Sequence, residues 1–178
     1  MSESIKKIGI STTAIGMALL MIAPASLGAF AISPTGTTRD GGLHFVGSPQ
    51  LTVDKTDGAT LTATGEVAGA GTGAGTATLS ADVSATVGCL TPKENNEPQG
   101  LQEASTAVTA TAPFEPTRQG RGAFTVTTEP ITIEDFDFEC PSANQHETLV
   151  GPITFSNIVL TISAQTGTIT ATYADVDP

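Results

Sequence analysis

Tryptophan is absent from this chain, tyrosine occurs once, at Tyr173, and only seven cations stand against 18 acids. Each shortage closes off a class of function. Sugar-binding clefts stack rings on aromatic platforms, and this chain has almost none to offer. Phosphate backbones and anionic lipid surfaces repel a formal net charge of −11, which argues against nucleic acid and membrane-surface partners. The same charge favours solubility. Histidine is confined to His44 and His146, and cysteine to Cys89 and Cys140. With no Cys-x-x-Cys pair and no histidine close to one, a zinc set is not available. No Gly-x-Ser-x-Gly elbow occurs, and neither histidine has a serine or cysteine partner in sequence, so no catalytic residue is assigned and the chain is read as not an enzyme. His146-Glu147 reads as a hydrated polar pair. Residues 68–75 are glycine-rich, but no Lys-Ser/Thr and no helix start follow them. A phosphate cradle then lacks its physical basis, no cofactor is expected, and a flexible inter-strand loop is.

What is present begins at the N-terminus. Lys6 and Lys7 form a short basic region, an uncharged apolar run covers 8–22, Pro24 follows, and Ala29-Phe30-Ala31 places small residues where a signal peptidase reads. Residues 1–31 are therefore expected to be a signal peptide whose apolar part is helical, and the working protein to begin at Ile32 outside the cytoplasm. Two other readings use the same residues. The uncharged stretch 8–32 is long enough to span a bilayer uncut, although Ser11, Thr12, Thr13, Pro24 and Ser26 weaken it as an anchor. Cleavage near Gly9 would instead keep the apolar segment as an assembly helix, as in pilin-type filament subunits. No cysteine lies near residue 31 to take a lipid, and no second apolar span follows, so cleavage would leave no membrane contact.

Residues 32–178 are the size of one domain. They keep five cations (Arg39, Lys55, Lys93, Arg118 and Arg121) and every acid except Glu3. In an exported chain an even cysteine count reads first as a disulfide, here Cys89–Cys140.

Residues 33–42 look like a flexible lead-in, rich in Thr and Gly. Beyond them alternation dominates. Over 76–87, Ala77, Leu79, Ala81, Val83, Ala85 and Val87 take one face and hydroxyls or Asp82 take the other, the period of a long half-buried strand. Cys89 continues the inward register. Residues 50–55 and 59–67 flank Thr56-Asp57-Gly58, a hairpin cue. Residues 103–112 alternate with Thr106, Val108 and Ala110 on one side, and 122–129 with Phe124 and Val126. Residues 131–139 begin with Ile131 and Ile133 inward. They then change register so that Phe136, Phe138 and Cys140 share a face, which suggests a bulge or a break between strands. Residues 153–164 bury Ile158, Leu160 and Ile162, turn at Gln165-Thr166-Gly167, and return with Ile169, Ala171 and Tyr173 aligned. With a short segment at 43–46, eight or nine strands are expected in 43–178, as an antiparallel β-sandwich that is Ig-like in architecture only.

His44-Phe45-Val46-Gly47-Ser48-Pro49 opens the domain. A cysteine precedes the polar loop Thr91-Pro92-Lys93-Glu94-Asn95-Asn96-Glu97-Pro98, and Cys140-Pro141 comes late. In these motifs, over most of 43–162, the chain resembles a group of small secreted microbial two-cysteine β-sandwich proteins of unassigned function. The resemblance implies a secreted, disulfide-bonded β domain and carries over no catalytic residue.

Candidate sites follow from the same residues. Asp135, Asp137 and Glu139 would alternate along one strand face beside Glu134, an oxygen-rich stripe that suits calcium if a loop adds carbonyls. The plainer reading is a solvated face, or charges that block edge pairing. Arg118 and Arg121 make a local positive spot on an acidic protein. The polar loops 90–102 and 141–148 would be held at one end by the two cysteines and suit recognition. The function expected is a non-catalytic extracellular binding or structural module with an unidentified partner. A self-associating surface filament or layer subunit and an inhibitor of secreted proteases are the alternatives.

Overall fold

The computed structural model describes residues 30–55, 58–91 and 98–177. They form ten strands: β1 (Phe30–Ile32), β2 (Gly36–Gly41), β3 (His44–Phe45), β4 (Gln50–Asp54), β5 (Thr60–Ala68), β6 (Gly75–Leu90), β7 (Gln99–Phe114), β8 (Gly122–Thr127), β9 (His146–Ala164) and β10 (Gly167–Thr172). A single 3₁₀ turn occupies Ile133–Asp135, and no α-helix occurs among the described residues. The described residues are all-β, in two antiparallel sheets. In the smaller, β5 pairs with β4 and β3 on one side and β8 on the other, and β1 flanks β4. The larger runs β2-β10-β9-β6-β7.

Alternation builds the core as anticipated. Ala77, Leu79, Ala81, Val83, Ala85, Val87 and Cys89 of β6 are all buried, while the residues between Thr76 and Thr86 on the other face meet solvent. Leu51, Val53, Leu61, Ala63, Val67, Phe124 and Val126 of the smaller sheet join Phe155, Ile158, Leu160, Ile162, Ile169 and Ala171 of the larger in one hydrophobic cluster. One core shared by two antiparallel sheets is consistent with a β-sandwich. The Phe114 ring, at the end of β7, fits because two neighbours have no side chain. A Cβ at residue 75 would lie 2.3 Å from it and one at residue 122 would lie 2.6 Å away.

Four features depart from the sequence reading. Residues 33–42 contain β2, paired with β10 from Gly36↔Thr172 to Gly41↔Gly167. Every residue of β2 is exposed, so no apolar face announced it. Residues 131–139 are not a strand. Ile131 makes an isolated bridge with Ala59, the 3₁₀ turn follows, and the rest has no ladder partner. Phe136 is nevertheless buried and Phe138 half-buried, with Asp137 and Glu139 outward, so the alternation there reports burial of a chain that crosses the core edge without pairing. The glycine-rich stretch 68–75 is held against its neighbours: Ala70 N–H donates to Gly120 O at 3.0 Å, and Thr166 Oγ1 donates to Gly69 O. Finally, β9 starts at His146 and carries two irregularities against β6, one between Ser80 and Asp82 and one between Ala85 and Thr86.

Residues 1–29 of the expected signal peptide 1–31, and Thr56 and Asp57 of the expected turn, lie outside the described residues. β4 and β5 still pair antiparallel, from Gln50↔Thr64 to Asp54↔Thr60, as the hairpin reading requires. Phe30 and Ala31 stand opposite Val53 and Thr52 in β1, so a cut after Ala31 would leave only Ile32 of that strand.

Candidate functional site

Cys89 reaches the site because β6 keeps its inward register to the end. It is bonded to Cys140, with Cα atoms 5.8 Å apart across a sequence separation of 51. Phe136 and Phe138, packed on the core, set the approach of Cys140. Opposite Cys89 in β9 is Glu147, and opposite Leu90 is His146. Glu147 Oε1 accepts from Cys140 N–H at 3.4 Å, which ties the 140–145 loop back to the strand it precedes. Gln145 N–H donates to Ser142 O at 2.9 Å and closes that loop as a turn. The bond therefore anchors two polar connections at one end of the larger sheet, although residues 92–97 of the first fall outside the described residues. Leu101, 56% exposed, lies with its side chain over Gly88.

The other candidates are dispersed. Asp135 Oδ2 accepts from Thr132 N–H at 2.7 Å and from Thr132 Oγ1 at 3.1 Å, so this carboxylate stabilises the 3₁₀ turn. Without a strand under them, Asp135, Asp137 and Glu139 do not form the common face that the calcium reading needed. Among the described residues no group of three or more His, Cys, Asp or Glu side chains is disposed to hold a metal ion. Arg121 Nε lies 2.9 Å from Glu66 Oε1, so one half of the positive spot is neutralised by an exposed ion pair. Such pairs contribute little to stability. Arg118 sits in the adjoining turn, closed by Gly120 N–H to Thr117 O at 2.8 Å.

His44 is far from that end of the fold in the sheet order. It lies on β3, its Nδ1 within 3.1 Å of Gly42 O, so that nitrogen carries the proton and donates. Together with Arg39, Thr37, Phe45 and Pro49 it lines an open cleft of about 410 Å³ between β2 and the β3–β4 corner. The other described residues lining it are Pro34, Thr38, Gly47, Ser48 and Ile169. His146, on the larger sheet, does not approach it. A second groove of about 410 Å³ runs beneath the edge strand β7, lined by Val108, Ala110, Thr127, Thr128, Pro130 and Ile131 among others.

Sequence reasoning missed two polar features. Arg39 reads in sequence as part of a lead-in, and only pairing with β10 places it on a cleft. The contact between Asp82 and Asn157 was legible in principle. Apolar positions in β9 change parity between Phe155 and Ile158, and a parity change marks an inserted residue.

Comparison with known proteins finds no matching family model, no matching curated protein and no matching solved structure.

Proposed function

We propose that this chain is an exported, non-catalytic β-sandwich, Ig-like in architecture, that acts outside the cell as a binding or structural module. The observation that carries this reading is the Cys89–Cys140 bond at the end of β6, where it anchors polar connections of the kind that recognise partners on a rigid scaffold. Disulfides persist in oxidising compartments, and the N-terminal basic, apolar and small-residue pattern supplies a route to one. Among the described residues no helix is long and apolar enough to cross a membrane. The non-catalytic part rests on the sequence, in which neither histidine has a serine or cysteine partner and no Gly-x-Ser-x-Gly elbow occurs. The partner is an extracellular protein or surface component; the acidity of the chain disfavours nucleic acid.

Identification of the mature N-terminus tests the export reading. A start at Ile32 supports a cleaved, released module. A start near Ile10 supports instead a filament subunit that keeps its apolar helix, and an uncut chain supports an anchored form. The protease-inhibitor alternative is tested by mixing the protein with a panel of secreted proteases, where an uninhibited panel counts against it.

A further inference from the structure

The sheet edges differ in how they are protected. β1 spans three residues, β2 and β8 six each, and β2 carries Arg39 and Asp40. β7 is sixteen residues long and ends the larger sheet. Its pairing with β6 runs without a shift from Gly75↔Phe114 to Val87↔Gln102. Among the described residues its outer edge has no strand partner. Short strands, charges, prolines and bulges are the usual protections of such an edge. Residues 104–112, Ala-Ser-Thr-Ala-Val-Thr-Ala-Thr-Ala, contain none of them, in a chain of net charge −11.

We infer that β7 is a self-pairing edge, at which two copies of this chain join antiparallel about a two-fold axis through Val108. The sequence of the strand selects the occupant. With Val108 opposite Val108 of the second copy, Ala104 meets Ala112, Ser105 meets Thr111, Thr106 meets Ala110 and Ala107 meets Thr109. Glu103 then falls opposite Pro113, so the one acid of the strand does not face its own copy. Inward residues stay with inward residues, because directly opposite side chains of an antiparallel pair share a face. Ala104, Val108, Ala110 and Ala112 are only half-buried at this margin, and Val108 and Ala110 line the open groove between β7 and residues 127–131. The Ser105–Thr111 pair extends the hydroxyl row that already crosses the larger sheet through Thr38, Thr170, Thr161, Thr78 and Thr111. Two-fold, self-complementary contact is the commonest way for copies of one chain to associate. Because each copy is acidic, screening by salt should strengthen this association, the reverse of what a basic partner would show.

Sedimentation velocity of the natively exported protein, over a hundredfold concentration range and at low and high salt, tests the inference. The expected result is a monomer–dimer equilibrium that shifts toward dimer with salt. Ala107→Lys with Thr109→Lys, on the exposed side of β7, should leave a folded monomer, while Thr125→Lys on β8 should dimerise as the parent does. Directly opposite residues of an antiparallel pair lie about 4.5–5.5 Å apart at Cα, within disulfide reach. Val108→Cys should therefore cross-link two copies under mild oxidation, and Ala112→Cys should not. A parent that stays monomeric throughout, or a dimer that the double lysine variant leaves intact, overturns the inference. Equal cross-linking at both cysteine positions overturns the register.

Discussion

Asn157 Nδ2 donates a 2.7 Å hydrogen bond to Asp82 Oδ2 across the β6–β9 ladder, at the point where β9 carries one extra residue. Asn157 is also the only non-glycine residue with positive φ among the described residues, at 50°. The two facts belong together. This bulge places a residue in the left-handed region, asparagine tolerates it, and its amide finds a carboxylate on the facing strand. The bulge then returns Ile158, Leu160 and Ile162 to the core after Phe155.

Asn157→Ala should destabilise the fold by about 1–2 kcal/mol, the cost of a left-handed backbone for an ordinary side chain. Asn157→Gly relieves the backbone and loses only an exposed hydrogen bond, worth about 1 kcal/mol. Urea denaturation should rank Gly above Ala; the reverse order would remove the bulge geometry from the explanation.

Gly75 and Phe114 are expected to be coupled. Adding a methyl group at residue 75 puts carbon 2.3 Å from the Phe114 ring, and overpacking of this kind costs about 1–3 kcal/mol. In the Phe114→Leu background the same Gly75→Ala change should cost less. A double-mutant cycle reads the difference, and additive losses would show that the ring does not press on residue 75.

Tyr173 is the only tyrosine in a chain without tryptophan, so near-ultraviolet absorbance reports its ionisation alone. Its hydroxyl is buried with no hydrogen-bond partner among the described residues, and burial pushes its pKa up from 10.0 to about 12. The unfolded chain therefore releases this proton first. Its contribution to stability is intact below pH 10, falls as pH rises beyond it and is gone above about 12. Tyrosinate should appear near pH 12 in the folded protein, and Tyr173→Phe should be neutral or stabilising by about 1 kcal/mol, since it removes an unpartnered buried hydroxyl. A midpoint near 10 in the folded state would contradict this.

The strands that bury one face were legible because burial and alternation are the same fact: β6 could be written down residue by residue. β2 was not, because a strand with both faces in solvent leaves no apolar period. Residues 131–139 misled for the opposite reason. Phe136 and Phe138 alternate in burial, and a single chain does not reveal whether an alternating segment has a neighbour to pair with. The cysteine pairing needed only a count. The clefts needed topology, since Arg39 and His44 line one cleft from strands of different sheets, an arrangement no local pattern encodes.

The disulfide state of the protein recovered outside the cell tests the central claim most directly. Non-reducing peptide mapping should show Cys89 linked to Cys140 with no free thiol. Replacing both by serine should lower stability by about 4 kcal/mol, the chain-entropy value for a loop of this length. Free thiols in exported material, or a variant as stable as the parent, would contradict an extracellular fold clamped at that point.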